Sequence, residues 1–373
     1  MSALDIRPIA SKKDRNDFIK FQWTIYQGNP NWVAPLLMDR RKLMDREKNP
    51  FYKHAAAEFW LARRDGKIVG RIGAIVNDNH NKEHDENIGF FGFFECINDQ
   101  TVADALFKTA LGWLKDRKVT AVRGPASPCV NDEYGLLIDG FDKPPVVLMP
   151  YNPPYYPELI EKAGFAKVKD LYAYHVHKDL VFDPKLVRVS EALKARSNLT
   201  FRTLNMSDFK NEIAMIKGLY NGAWQKNWGA VPMTDEEFNG LAADLKPVVV
   251  PEAVIIAEYK GKPIGFSLSL PDLNIALKHN PSGGLLTGLF HLMTKKKQIK
   301  SARIIVLGVL PEFQKTGAGG VLFYETSRRL VECGYPEGEA GWVLEDNVMM
   351  NRGAELMQGK RVKTYRIYEK SIS

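Results

Sequence analysis

Leu307-Gly308-Val309-Leu310-Pro311-Glu312-Phe313-Gln314-Lys315-Thr316-Gly317-Ala318-Gly319 joins an apolar strand to an amphipathic helix through a glycine-rich turn. The strand, Arg303–Val309, stops before a proline, which cannot donate to a sheet ladder. The helix is expected over Gly319–Cys333, with Leu322, Leu330 and Cys333 on one side. Such a turn gathers several backbone N–H groups, and the helix N-terminus adds partial positive charge. Gly317 and Gly319 let a phosphate reach the backbone with no Cβ in the way, and Lys315 adds a point charge. A pyrophosphate suits this chemistry; a glycine-rich turn that binds nothing is the alternative.

Other phosphate motifs are absent. Gly135–Gly140 has the Walker spacing but runs into Phe141-Asp142, and no Gly-x-Gly-x-x-Gly opens a helix after a strand. No Gly-x-Ser-x-Gly elbow exists. His80 and His84 are four apart and His175 and His177 two apart, but no Cys or Asp cluster accompanies them, so no metal site is expected. The three cysteines, Cys96, Cys129 and Cys333, form neither a disulfide framework nor a CxxC pair, which fits a reducing compartment. Residues Met1–Phe21 lack the apolar core of a signal peptide, and no apolar run approaches the roughly 20 residues that span a bilayer. A cytoplasmic protein without a transmembrane segment is expected. The net charge of +8 suits an anionic ligand. Nucleic acid is not expected, because the longest basic run is Lys295-Lys296-Lys297, with no interleaved aromatics.

The chain has 373 residues, enough for two domains with a core each. It also repeats itself. Arg7 and Arg202, Gly66 and Gly261, and Gly70 and Gly265 are each 195 positions apart. Around these landmarks lie two hairpins of one plan, Ala57–Asn77 turning at Asp65-Gly66 and Ala253–Leu273 turning at Lys260-Gly261. Strand Ile88–Ile97, a helix at about Val102–Asp116 and strand Ala121–Arg123 continue the first half. Segment Asn274–Lys300, strand Arg303–Val309 and strand Gly341–Leu344 continue the second. Alternating strands and helices argue for α/β layers. The expected division is residues 1–180, a polar and partly helical linker 181–196, and residues 197–373.

The phosphate-binding turn resembles the acyl-CoA motif of the GNAT (GCN5-related) N-acyltransferases, Gln/Arg-x-x-Gly-x-Gly/Ala, with Gln314, Gly317 and Gly319 on its defined positions. The resemblance implies a mixed central sheet flanked by helices in each half, hence two tandem copies. It implies that the turn, from Gln314 through Lys315, Thr316, Gly317 and Ala318 to Gly319, holds the CoA pyrophosphate. It implies that Val309 and Leu310 lie nearest the thioester, that a main-chain N–H there polarises its carbonyl, and that Asn347 contacts acetyl-CoA or another acyl-CoA. The first half resembles the fold too, in Asn152–Tyr156 and the Gly164-Phe165 ending. Its strand-to-helix junction, Glu95–Val102, lacks glycine and carries Asp99, so the first copy is expected to be degenerate.

Family members often carry a tyrosine two turns after the asparagine, as acid for the leaving thiolate. Here that region holds none, and Tyr365 and Tyr368 are the nearest substitutes, with ordinary packing as the alternative. Glu345, at a strand end, is the first choice of general base. Asn221, Trp224, Asn227 and Trp228, together with Asp272 and Asn274, are the candidate contacts to the acceptor, a small-molecule or peptide amine. Pro281–Lys297 reads as an amphipathic helix that lines an acyl pocket, touches a membrane surface or docks on the sheet. The expected activity is N-acyl transfer, with acetyl the first choice of acyl group. A non-catalytic acyl-CoA sensor and an aminoacyl-tRNA-dependent transferase are the alternatives.

Overall fold

A computed structural model describes residues 3–224, 227–356 and 358–372. In chain order, β1 (Leu4–Pro8), α1 (Lys12–Ile25) and α2 (Leu37–Leu43) precede the hairpin β2 (Ala55–Arg64) and β3 (Lys67–Asn77). Next come α3 (Asp78–His84), β4 (Ile88–Cys96), α4 (Gln100–Lys115) and β5 (Ala121–Gly124). Three short strands, β6 (Ala126–Ser127), β7 (Glu133–Tyr134) and β8 (Leu136–Asp139), precede α5 (Tyr156–Lys162) and β9 (Ala166–His177). The linker is helical, as α6 (Lys178–Val181) and α7 (Pro184–Arg196). It leads to β10 (Leu199–Thr203), α8 (Phe209–Trp224), α9 (Asp235–Leu245) and the hairpin β11 (Val254–Tyr259) and β12 (Lys262–Pro271). The chain ends with α10 (Asn274–Leu277), α11 (Leu285–Lys295), β13 (Ser301–Val309), α12 (Ala318–Glu332), β14 (Glu337–Leu344), α13 (Val348–Leu356) and β15 (Lys360–Ser371).

The two hairpin turns share one backbone conformation. Asp65 and Gly66 have φ of 51° and 75°, and Lys260 and Gly261 have 49° and 73°. Positive φ at both central residues is the type I′ pattern that matches strand twist. Registers repeat as well: Gly70 faces Cys96 across β3 and β4, and Gly265 faces Val309 across β12 and β13. In each copy the hairpin's second strand pairs antiparallel with the next strand, which then pairs parallel with the one after.

Two compact units result. The first runs to Leu171 and adds Leu277–Phe290 and the chain from Lys363 onward; the second holds Tyr172–Ala276 and His291–Val362. A contiguous cut between residues 180 and 197 would assign those two added segments to the other half. Each unit is a mixed sheet flanked by helices, in keeping with the α/β layers expected from sequence. In the first, strands run in the order β1-β2-β3-β4-β5-β15. Its core joins Val102, Leu106, Ala110 and Leu114 of α4, spaced at the helical period, to Ile72, Ala74 and Phe91 of the sheet. In the second, the order is β14-β13-β12-β11-β10. Ala318 and Leu322 of α12 pack there on Ile255, Ala257 and Val309, while Phe266 meets α8 on the other face.

The outer face of α11 departs from simple docking on a sheet: Leu286, Phe290 and Met293 point outward, at 81%, 61% and 80% exposure.

Candidate functional site

β13 and β14 pair in parallel from Ser301–Glu337 only as far as Ile304–Ala340. Beyond that register the strands part, with β13 continuing to Val309 and β14 to Leu344. On its other edge β13 stays bonded to β12 along its whole length. Leu310 N–H donates to Ile264 O at 2.8 Å. Backbone groups of successive strand residues point to opposite edges. Val309 and Leu307 therefore turn their amides toward the edge that β14 has left. The candidate pair Val309 and Leu310 is thus resolved at the main chain: Leu310's N–H is committed within the sheet, and Val309's faces the opening.

A recess occupies this opening, lined by Trp224 and Asn227, Ile304 to Leu307, Phe323, Ala340 to Leu344, Asn347 and Met350. Its lining side chains are mostly apolar, but polar groups make up about half of its surface. The buried Arg303 braces its inner end, donating to Gly341 O at 3.1 Å and lying 5.3 Å from the Trp342 ring. Trp224 stacks on Tyr220, meets Phe266 edge-on and covers Gly308, where a Cβ would come within 2.6 Å of the indole.

The turn after β13 forms a short 3₁₀ segment, Pro311–Thr316, and Gly317 closes it with φ of 83°. Gln314, Lys315 and Thr316 are exposed. The Thr316 hydroxyl donates to Phe313 O and accepts from Ala318 N–H. α12 then begins with Gly317 as its N-cap and no side-chain cap of the usual kind. A Cβ on Gly319 would meet only Val309 Cγ2, at 4.0 Å, and one on Gly320 would meet nothing within 4 Å. Two adjacent first-turn residues thus have open space beside their Cα atoms at the positive end of a 15-residue helix. The residues fit a bound pyrophosphate.

Other sequence candidates are distributed unevenly. Asn347 lines the recess and caps α13, its Oδ1 accepting from Met350 N–H at 3.1 Å. Glu345 sits at the corner just before it, where Asn351 Nδ2 donates to the carbonyls of Leu344 and Glu345. Trp224 and Asn227 line the recess; Asn221, one turn back on α8, and Trp228 do not. Asp272 and Asn274 lie at the far end of the sheet, since Pro271 pairs with Ala302 at the start of β13. From Ala302 to Val309 is roughly 23 Å at about 3.3 Å per residue. Those two residues instead organise α10, Asp272 Oδ1 accepting from Asn274 N–H at 3.3 Å.

Tyr365 and Tyr368 belong to the first unit and are fully buried there. Tyr368 donates to Glu161 Oε1 at 2.9 Å, and burial raises its phenol above the usual range. Tyr365 packs against Gly135, opposite Leu137 of β8. Three positions apart on β15, both are buried, and neither lines the recess. Sequence reasoning did not single out Phe323, Trp342 or Met350, nor the arginine inside an otherwise apolar strand, which was the visible hint at the brace.

The first unit shows the same opening filled from within. β4 and β5 pair from Ile88–Ala121 to Phe90–Arg123 and then separate. The Ala126 carbonyl enters the gap so closely that a Cβ on Gly92 would lie 1.7 Å from it. Phe93 N–H donates to Ser127 Oγ at 2.8 Å. Cys96 holds the place of Val309, and its N–H donates to Tyr156 Oη at 2.9 Å. That phenol in turn donates to the buried Glu95, which also accepts from Gln22 at 2.9 Å and lies 3.4 Å from Arg71. At the helix N-terminus, Asp99 accepts from Thr101 N–H. Hydrogen bonds from Thr101 and from Arg64 hold its carboxyl down at about 2. The position that would meet a phosphate already carries a carboxylate.

Among the described residues no group of three or more His, Cys, Asp or Glu could hold a metal ion. No helix among them is long and apolar enough to cross a membrane.

No family model matches the chain. Protein YghO of Escherichia coli is 34% identical over 378 aligned positions, spanning 98% of this chain and 95% of YghO. The bacterial ceramide synthase of Caulobacter vibrioides is also 34% identical over 378, spanning 99% of this chain and 98% of that protein. Among solved structures, a tandem GNAT protein from the clavulanic acid biosynthesis pathway superposes with a TM-score of 0.58 at 12% identity, covering 99% of this chain and 98% of that one.

Proposed function

The chain belongs to the family of YghO and the bacterial ceramide synthase and has a tandem GNAT fold; on that premise we propose that it is a GNAT-type acyltransferase that moves an acyl group from a CoA thioester to the primary amine of a long-chain amino alcohol. The parted strands β13 and β14 carry this reading. An extended pantetheine arm can pair with the β13 edge through the Val309 and Leu307 amides, as a replacement strand. The glycine N-terminus of α12 receives the pyrophosphate. In the first unit the corresponding amides of Phe93 and Cys96 already have internal partners, so the second unit is the site. The acceptor class is suggested by the ceramide synthase relative, since a ceramide is the N-acyl amide of such an amino alcohol. The mostly apolar side chains that line the recess suit an acyl chain longer than acetyl.

Transfer is direct. The amine nitrogen attacks the thioester carbonyl, the C–N bond forms as the C–S bond breaks, and the thiolate leaves. Val309 N–H stabilises the carbonyl oxygen as charge builds there. Glu345, at the corner after β14, accepts the proton that the amine gives up, and the thiolate takes one from solvent in the absence of a nearby phenol. Trp224 and Asn347 border the opening and orient the arm.

Purified protein incubated with acetyl-CoA or palmitoyl-CoA and a sphingoid amine provides the test, with thiol release and amide mass as readouts. Thiol release with palmitoyl-CoA above acetyl-CoA, and amide formation, are expected. A second reading, acyl-CoA sensing without turnover, is favoured by the burial of Tyr365 and Tyr368 in the first unit. Calorimetric binding of acyl-CoA with no thiol release across a panel of amines would establish that reading instead.

A further inference from the structure

α11 presents two faces of different character. Its inner side approaches closely through Gly288, where a Cβ would lie 2.8 Å from Leu36 Cδ2. The loop before it is pinned, with Trp23 Nε1–H donating to Pro281 O at 2.6 Å and Leu37 N–H to Gly283 O at 2.9 Å. The outer side carries Leu286, Leu289, Phe290 and Met293, which fall within one arc at 100° per residue. Large side chains at that spacing ordinarily face a core, yet these are exposed at 47% or more.

Charge around the helix is one-sided. From Leu273 to Pro311 the chain contains no Asp or Glu, while Lys278, Lys295, Lys296, Lys297 and Lys300 all fall within it. Lys296, Lys297 and Lys300 are exposed just beyond the helix C-terminus, and Lys278 lies exposed before it. An apolar stripe flanked by lysines, on a segment that carries no carboxylate of its own, complements the anionic surface of a bilayer: acyl chains for the stripe and phosphate headgroups for the ammonium groups.

We propose that α11 docks the protein on anionic membrane, lying in the plane of the interface with Leu286, Phe290 and Met293 in the headgroup–acyl boundary. The inference is independent of the acceptor proposed above and is read without any turnover. Its value for a lipid-modifying enzyme is that an amphiphilic acceptor is met where it is concentrated.

The test is co-sedimentation of the full chain with vesicles of phosphatidylcholine alone or of phosphatidylcholine with phosphatidylglycerol. Binding to the anionic vesicles, weakened by salt, is expected. Leu286→Asp with Met293→Asp should reduce it by at least about tenfold. Lys296→Gln with Lys297→Gln should reduce it by roughly twenty-five-fold, each lysine near an anionic surface being worth about fivefold. All four positions tolerate polar side chains, and an unchanged thermal melt verifies that the variants are folded. Wild type that ignores both vesicles, or binds them equally at all salt concentrations, overturns the proposal. So does a dimer that Leu286→Asp/Met293→Asp converts to monomer without vesicle binding, since a second copy would then cover the stripe.

Discussion

Gly308, Gly317 and Gly319 lie within 12 positions of one another and are glycine for three different reasons. Gly308 makes room for a neighbour: a Cβ there would meet the Trp224 indole at 2.6 Å. Gly308→Ala is expected to lower stability by about 1–3 kcal/mol through overpacking, read by urea denaturation, and to weaken acyl-CoA binding by pushing the indole into the recess. Gly317 serves the backbone, whose φ of 83° is unfavourable for a side chain. Gly319 serves the ligand. It is in a helix with space around it, so Gly319→Ala should be neutral or up to about 1 kcal/mol stabilising, while Gly319→Glu should abolish calorimetric acyl-CoA binding with the fold intact. A stable Gly319→Glu variant that still binds acyl-CoA would refute the phosphate site.

Helix α3 illustrates how an element fixes a titration. Asn77 caps it, accepting from the Asn79 and His80 amides, and this seats His80 in the interior, 2% exposed, edge-on to Phe90. Burial depresses its imidazole to about 4, against the opposing hydrogen bond to Glu86. Because the folded value lies below the unfolded one, the unfolded chain takes up the proton first as pH falls. The stability contribution is therefore complete above about pH 6.5 and is lost between there and about pH 4, by up to roughly 3 kcal/mol. Denaturation midpoints measured across that window should decline in wild type and flatten in His80→Gln at a lower plateau; an equal slope in both would show that another group is responsible. The same scale separates the two phosphate-facing helices. α4 is capped by its own Asp99, whereas α12 starts on glycine, with Thr316 taking only the Ala318 amide and no N-cap side chain over those that follow.

For the molecule as a whole, duplication followed by divergence gives a stoichiometry. The first unit's opening is closed by its own Ala126 carbonyl, Ser127 hydroxyl and Tyr156 phenol, and the second unit's is open. Calorimetry should return one acyl-CoA per chain, and Gly319→Glu should remove the whole heat. Two sites per chain, or residual heat in the variant, would mean that the first unit also binds. Tyr156→Phe is not expected to open a second site, because Ser127 still holds the Phe93 amide; it should cost stability by leaving the buried Glu95 with one hydrogen bond fewer.

The sequence by itself determined the local devices of this protein. Type I′ hairpins at Asp65-Gly66 and Lys260-Gly261, the strand–turn–helix at Val309–Gly319, and the 195-residue repeat are each set by a few adjacent residues whose backbone preferences suffice. It could not say which candidates share a site. Where β13 parts from β14 depends on register between strands, and that sets Val309 apart from Leu310 and leaves Asp272 and Asn274 at the other end of β13, about 23 Å from Val309. Packing decided that Tyr365 and Tyr368 fill a core, because a phenol's role follows from what surrounds it rather than from its place in the chain. The outward apolar face of α11 was equally beyond periodicity, which finds the stripe but not the side it faces. Only the close approach of Gly288 to Leu36 fixed that direction.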